Sequence, residues 1–373
     1  MESQITIHQL NQLIDYIKKT HTVYGTQLKD GKLVFDALNS SSDLKLGHKK
    51  PIIPFKKILF PNLLEPNATS VIPDPVGDPL IVDSRRMFTP INHRGGNDKV
   101  RGGNDKLEIG NNGNSSRSLH SSNKIALIGL NNCDVWALHY LLEEFTDTKI
   151  LPKRENILIF SSECFPNENC FCDLTGTNKL APFDLHVQEE KNEYAIFSGN
   201  KRGEAILKKN GIKQSQKKLQ ISEIKPNQKT FAEQNISKII DNKEKHIEFW
   251  DKISENCFGC GACSTVCPLC FCTRQDFKNE LTGESKQCLN WDSCFAKRFS
   301  EIQNHYDFRP KNVDRLYNWY HHKFVRSYHK NKRFLCTGCG RCIEACPAHL
   351  NMKNILESLI EQDSEKETKD EKQ

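Results

Sequence analysis

The spacing of hydrophobic residues predicts short strands and helices from the N-terminus onward. One helical face is formed by Leu10, Leu13, Ile14 and Ile17. The turn residues Asp30 and Gly31 then join two strand-like runs, 23–28 and 33–38, as a hairpin. The chain therefore begins as a small α/β unit.

A second ordered region begins at the apolar run 124–130, which is typical of a buried parallel strand. Asp134 caps the helix that follows, and the apolar run 157–160 predicts the next strand, so these elements form a right-handed βαβ unit. Three further helices carry apolar residues at helical spacing, within 231–253, 312–328 and 351–361. A hairpin (183–187 with 194–197) and a helix (201–210, stopped by Gly211) lie between these regions.

Two cysteine runs near the C-terminus carry the clearest chemistry. Both have the spacing C-x2-C-x2-C-x3-C-P, which is the bacterial ferredoxin pattern for [4Fe-4S] clusters. The fourth cysteine of such a run ligates the cluster held by the other run. The sequence therefore predicts cluster I on Cys257, Cys260, Cys263 and Cys346, and cluster II on Cys336, Cys339, Cys342 and Cys267. Zinc sites usually present well-separated C-x2-C pairs, so they fit this pattern less well.

The predicted fold class is α+β, with an N-terminal α/β domain that contains the βαβ unit and a C-terminal α-helical ferredoxin-like domain with two 4Fe-4S clusters. The region 85–123 is predicted to be a disordered insertion, because it is rich in Gly and Asn and repeats Arg-Gly-Gly-Asn-Asp-Lys. The predicted segments are 1–84, the insertion 85–123, the βαβ-containing part 124–211 with its own cysteines, a linker 212–228, the dicluster domain 229–361 and a disordered charged tail 362–373.

Charge and composition exclude some classes of function for this chain. The formal charge of +6 falls to about +2 when two cubanes of about −2 each are counted, and basic and acidic residues are interspersed. Neither observation supports nucleic-acid binding. We expect a cytoplasmic protein, since the sequence shows no secretory signal or membrane span and its sixteen cysteines suit a reducing compartment better than a disulfide framework.

Eight cysteines lie outside the two runs. A candidate third metal site is formed by Cys133, Cys164, Cys170 and Cys172, because thiols at the ends of neighbouring parallel strands converge. A second thiol group comprises Cys270, Cys272, Cys288 and Cys294. The alternative for both groups is a set of buried, redox-inert thiols, and for the second group we favour it. The predicted cofactors are thus two [4Fe-4S] clusters, with one further Fe-S cluster or metal as a candidate.

These motifs together resemble a known family, the dicluster 4Fe-4S beta subunit of soluble NiFe hydrogenases (sulfhydrogenases), and they are also similar to the dicluster component of anaerobic sulfite reductase. The resemblance covers most of the chain. Its elements are Cys257 through Cys272, Trp291-Asp-Ser-Cys294-Phe, Phe308-Arg-Pro-Lys, Tyr320-His-His-Lys-Phe324, Cys336 through Cys342, Lys56-Lys-Ile-Leu-Phe-Pro61, Asn132-Cys-Asp134 and Cys170-Phe-Cys-Asp-Leu-Thr-Gly176.

The resemblance implies an electron-transfer subunit of an oxidoreductase complex. Its partners would be a flavin subunit that binds NAD(P) and a catalytic subunit with a NiFe or sirohaem centre. Two alternatives remain open: a scaffold or docking subunit whose clusters are structural, and a redox relay in another anaerobic oxidoreductase, such as a heterodisulfide-reductase-like complex. The sequence identifies no substrate-turnover site and no catalytic residue of its own.

Overall fold

The protein is described here by a computed structural model. The described residues are 4–46, 50–59, 124–145, 151–191, 193–215, 219, 229–279 and 285–370, without the side chains of 275–279, 285–289, 303, 369 and 370. The predicted insertion 85–123 and most of the predicted linker 212–228 lie outside them. Among the described helices, none combines the length and apolar character needed to cross a bilayer.

Seven strands form one mixed sheet in the order β1-β7-β6-β5-β4-β2-β3, and two more form a separate antiparallel ribbon. The strands are β1 (Gln4–Ile5), β2 (Thr22–Lys29), β3 (Lys32–Ala37), β4 (Ile125–Leu130), β5 (Ile157–Ser162), β6 (Leu185–Glu190), β7 (Glu193–Ser198), β8 (Thr273–Asn279) and β9 (Ser285–Trp291). The four central strands, β2, β4, β5 and β6, are parallel to one another. The fold is therefore mixed α/β with a parallel-strand sheet, as the apolar runs predicted.

Twelve α-helices are present in the described residues. They are α1 (Ile7–Lys18), α2 (Lys56–Leu59), α3 (Asn132–Glu144), α4 (Cys172–Thr175), α5 (Lys201–Lys209), α6 (Ile236–Asp241), α7 (Ile247–Glu255), α8 (Ala262–Thr265), α9 (Asn312–His321), α10 (Ser327–Asn331), α11 (Arg341–Glu344) and α12 (Met352–Asp370). A π-helical turn, His322–Arg326, joins α9 to α10. The predicted βαβ unit is confirmed as β4-α3-β5, since β4 and β5 pair in parallel.

Alternate residues of the central strands enter two different hydrophobic cores. Ala126 and Ile128 of β4 face a core closed by α1 and α5. Ile125 and Leu127 face the other core, which also contains α3 and extends without interruption to Trp250 in α7 and to the aliphatic side chains of α12. The cysteine-rich C-terminal region therefore shares its core with one face of the sheet.

Two sequence predictions about the C-terminal helices are wrong. The predicted helix over 231–253 is broken between α6 and α7 by a 3-10 turn, Glu244–His246. The predicted disordered tail from residue 362 is instead helical up to Asp370. One contact accounts for both differences: the fully buried His246 lies 2.8 Å from an Asp363 carboxylate oxygen, and Lys245 lies 2.7 Å from the same atom. This long-range contact turns the chain at 244–246 and holds α12 in place.

A buried ion pair joins the sheet domain to the second cysteine run. The Arg341 guanidinium donates to both carboxylate oxygens of Asp134, at 2.7 and 2.8 Å, and its Nε donates to the Pro51 carbonyl at 2.8 Å. Burial lowers the pKa of Arg341, but the charge of Asp134 outweighs it and leaves the net pKa raised well above the usual value. Both side chains are buried, so removal of either partner would leave the other charge buried without a counter-charge.

Replacement of Asp134 by Asn is expected to destabilise the protein by about 3–5 kcal/mol, because Arg341 would remain buried without its counter-charge. Denaturation with guanidinium under anaerobic conditions, followed by far-UV circular dichroism, measures this. The control is Asp36→Ala, which breaks the exposed Lys29–Asp36 pair (3.0 Å) and should change stability by at most about 1 kcal/mol. Equal effects of the two variants would contradict the prediction.

Candidate metal centres

Five thiols from both cysteine runs line a first cavity of about 510 Å³, part of it open to solvent. Cys257, Cys260 and Cys263 come from the first run, and Cys342 and Cys346 come from the second. All of them except Cys342 are the residues predicted for cluster I. Burial raises the pKa of Cys263, and the three neighbouring thiolates raise it further. Such mutual repulsion between thiolates is relieved when they bind a metal.

A second cavity of about 300 Å³ has the complementary composition. Cys336, Cys339 and Cys342 of the second run line it together with Cys267 of the first run. The fourth cysteine of each run therefore lies beside the first three of the other. Two backbone amides point at these sulfurs, Gly338 N to Cys336 Sγ and Leu269 N to Cys267 Sγ, each at 3.4 Å.

The two cavities share a wall. Cys342, Trp319 and Met352 line both of them. The thiols of the first cavity are all partly exposed, whereas Cys267, Cys336 and Cys339 of the second are buried. A redox centre in the first cavity would thus be nearer to solvent, and one in the second cavity would lie deeper in the protein.

Sequence reasoning missed the buried cations around these thiols. Lys323 donates to Cys267 Sγ at 3.2 Å and to the Leu335 carbonyl at 3.1 Å. Lys56 donates to the carbonyls of Ser264 (3.0 Å) and Cys270 (2.9 Å). Both lysines belong to motifs of the family resemblance, but periodicity and spacing give no sign that a lysine will be buried.

The buried lysine charges indicate whether the two cavities suit an anionic group. Burying an ammonium is unfavourable unless a negative charge lies close by. No carboxylate among the described residues forms an ion pair with Lys56 or Lys323. The groups that can offer them negative charge are cysteines: Cys270, Cys267 and Cys272 near Lys56, and Cys267, Cys270 and Cys336 near Lys323. For Lys323 burial lowers the pKa, but the nearby cysteines, Cys267 first, outweigh it and leave the net pKa raised. Thiolate-bound iron-sulfur clusters would supply the negative charge that both lysines require.

The upstream thiols of the candidate third metal site also come together. Cys133 lies in the first turn of α3, and Cys164 follows β5 at the same edge of the sheet. Burial, reinforced by the Cys170 thiolate, raises the pKa of Cys164 to about 11, and burial together with Cys164 raises that of Cys172 to about 12. Lys50 donates to Cys170 Sγ at 3.1 Å. No group of three or more His, Cys, Asp or Glu in the described segments is arranged to hold a single metal ion.

Three members of the second predicted thiol group, Cys270, Cys272 and Cys294, lie within electrostatic reach of one another. Cys270 donates a hydrogen bond to Cys267 and so contacts the second cavity, whereas Cys294 donates to Cys272 and lowers its pKa to about 7. Cys288 lies in β9 opposite Asp276 of β8, and its side chain lies outside the described atoms.

The second cysteine run packs closely against the upstream Cys170–Cys172 segment. Gly338 has a φ of 60°, and a Cβ there would lie 2.4 Å from the Cys172 amide nitrogen. The Phe171 amide donates to the Gly338 carbonyl at 2.8 Å. Only glycine allows this approach, which brings the upstream thiols to the edge of the second cavity.

Comparison with known proteins agrees with this geometry. Residues 256–350 match the model of the 4Fe-4S dicluster domain family. Over 364 residues the chain is 24% identical to Sulfhydrogenase 2 subunit beta of Pyrococcus furiosus, covering 94% of this chain and 96% of that protein. The predicted family resemblance is confirmed. No solved structure matched the chain. The matched dicluster region contains both cysteine runs, from Cys257 to Cys346, and both cavities are lined mainly by it.

Replacement of Gly338 by Ala should remove metal from the second cavity of the dicluster region, because the new Cβ would push the cysteine loop away from Phe171 and Cys172. Iron and acid-labile sulfide, measured after anaerobic purification, should fall by about half if each cavity holds one [4Fe-4S] cluster.

The matched control for this variant is Gly211→Ala. Gly211 also has a positive φ, 67°, but a Cβ there meets nothing within 4 Å. It should show only the backbone strain of about 1–2 kcal/mol and keep its iron. Full iron retention in Gly338→Ala would show that the close approach does not control metal binding.

Proposed function

We propose that the chain is an iron-sulfur electron-transfer subunit of a hydrogenase-like complex. The observation that carries the proposal is the crosswise arrangement of eight thiols around two adjoining cavities, each set with buried positive charge or backbone amides nearby. The dicluster family match and the similarity to a sulfhydrogenase beta subunit support the same conclusion.

In this proposal the thiols hold two [4Fe-4S] clusters, cluster I on Cys257, Cys260, Cys263 and Cys346 and cluster II on Cys336, Cys339, Cys342 and Cys267. The clusters supply one-electron redox chemistry when bound. The polypeptide contributes the rest: it fixes the thiols, excludes water with Trp319 and Met352 where the cavities meet, and donates hydrogen bonds to sulfur. Such surroundings tune the reduction potential of a cluster.

The partners in this proposal are a flavin subunit that binds NAD(P) and a catalytic subunit with a NiFe or sirohaem centre. The chain would pass single electrons between them. Substrate turnover would take place on the partners, since both cavities are lined by cysteine and mainly apolar side chains rather than by an acid, a base and an oxyanion-binding site.

The crosswise ligand sets give a distinctive expected result. Cys346→Ala, although it changes the second run, should deplete the same centre as Cys260→Ala. Cys267→Ala should likewise deplete the same centre as Cys339→Ala. Electron paramagnetic resonance of the dithionite-reduced protein, with iron analysis, identifies the centre that remains in each variant. Pairing of Cys346→Ala with Cys339→Ala, or zinc in place of iron, would refute the assignment.

Cys164→Ala serves as a control in the same series. It removes a thiol of the upstream group and should leave the signals of both ferredoxin-type centres unchanged. A fall in total iron in this variant, with both signals intact, would assign a third metal centre to Cys133, Cys164, Cys170 and Cys172. Unchanged iron would identify the upstream group as buried thiols.

The relay function itself predicts reversible redox behaviour and specific partners. Anaerobic purification of the native complex should recover a flavoprotein and a metal-containing catalytic subunit with this chain. Stepwise reduction of the complex by NAD(P)H, followed by electron paramagnetic resonance, should reduce at least one of the two centres reversibly. Clusters that stay oxidised throughout the physiological range would instead indicate a structural role.

A further inference from the structure

Lys323 occupies an unusual position beside the second cavity. Its side chain is fully buried, and its ammonium lies 3.2 Å from Cys267 Sγ, 3.1 Å from the Leu335 carbonyl and 5.3 Å from the centre of the Trp319 ring. It projects from the π-helical turn His322–Arg326, which interrupts an otherwise continuous helix from residue 312 to residue 331. Turns of this kind are rare and occur frequently at functional sites.

Burial of an ammonium at this position is energetically costly. A buried lysine requires an anionic partner, and the nearest anionic groups among the described residues are cysteine sulfurs. The cationic group bonds directly to a sulfur that the crosswise pattern assigns to a cluster. A methionine of similar length would fill the same volume without this electrostatic requirement.

The first cavity has no equivalent group. Its described lining consists of cysteines, glycine, proline, and aromatic and aliphatic side chains, with no lysine or arginine. The hydrogen bonds to its sulfurs come from backbone amides, Gly259 N to Cys257 Sγ and Leu350 N to Cys346 Sγ, each at 3.4 Å. The two sites therefore differ by one charged donor on a ligand sulfur.

We propose that Lys323 raises the reduction potential of the centre in the second cavity above that of the centre in the first. Electrons that enter at the first cavity would then accumulate on the second centre. The inference rests on the proposed function. Reduction adds negative charge to a cluster and its thiolates. A positive charge and an N–H donor at a ligand sulfur stabilise the reduced form more than the oxidised form.

The test is an anaerobic redox titration of the full-length, cluster-loaded protein, with each centre assigned by the cysteine variants described above. In Lys323→Met the midpoint potential of the second centre should shift to a more negative value. That of the first centre should shift less, because Lys323 reaches Cys263 electrostatically but donates no hydrogen bond to it. Lys323→Gln, which retains a donor but not the charge, should give a smaller shift in the same direction. Lys323→Arg should restore most of the wild-type value.

Lys56→Met is the matched control. Lys56 is also fully buried near the second cavity, but its hydrogen bonds go to two carbonyl oxygens and not to sulfur. Its replacement should shift the second centre less than Lys323→Met does. Equal shifts would assign the effect to buried charge in general and overturn the specific role of Lys323.

Other outcomes separate this inference from the proposed function. Reversible signals that do not respond to Lys323→Met would overturn the role of Lys323 and leave the relay intact, whereas the absence of reversible signals in the wild-type protein would overturn both. The wild-type titration also provides a test if the lysine variants lose their clusters. A second centre with the lower potential of the two would contradict the proposal.

Discussion

The bidentate contact between Arg341 and Asp134 is the constraint on which the rest of the site depends. Asp134 belongs to the first turn of α3, which the βαβ unit fixes at the carboxyl edge of the sheet. Arg341 begins α11, between Cys339 and Cys342 of the second run. Their pairing therefore sets the position of three sulfurs relative to the sheet, and the bond from Phe171 to Gly338 holds the same loop from its other side.

The positions of the remaining cysteines follow from this attachment. The second run leads through Cys346 into α12, whose apolar residues complete the core shared with the sheet. Cys346 reaches the first run, and Cys267 of the first run reaches back to the second. Because each run contributes to both cavities, neither cavity could form in the absence of the other run. The sheet domain and the cysteine region share one hydrophobic core.

The sequence predicted much of the local structure. The apolar run 124–130 predicted a buried parallel strand, which is β4. The repeated C-x2-C-x2-C-x3-C-P spacing predicted crosswise ligand sets, and the cysteines concerned line the two cavities. Spacing is informative at this level because three cysteines two residues apart share one tight turn.

Long-range packing accounts for what the sequence did not predict. The alternating charges after residue 361 are typical of a disordered tail, but the buried contact of Asp363 with His246 makes the segment helical. Cys270 and Cys294 donate hydrogen bonds to other cysteines, Cys267 and Cys272, which the sequence could not show. Lysine is ordinarily a surface residue, so residue type alone gives no sign that Lys56 and Lys323 are buried. Only the completed fold encloses them beside sulfur.

The unequal burial of the two thiol sets has a consequence for the sensitivity of the protein to oxygen. Phe258, next to Cys257 in the loop around the first cavity, has 71% of its side chain exposed, whereas three of the four sulfurs of the second set are buried. If both cavities hold clusters, as proposed, dioxygen dissolved in the surrounding water reaches the one in the first cavity more readily. Oxidative damage should therefore begin there, and the centre in the second cavity should survive a brief exposure.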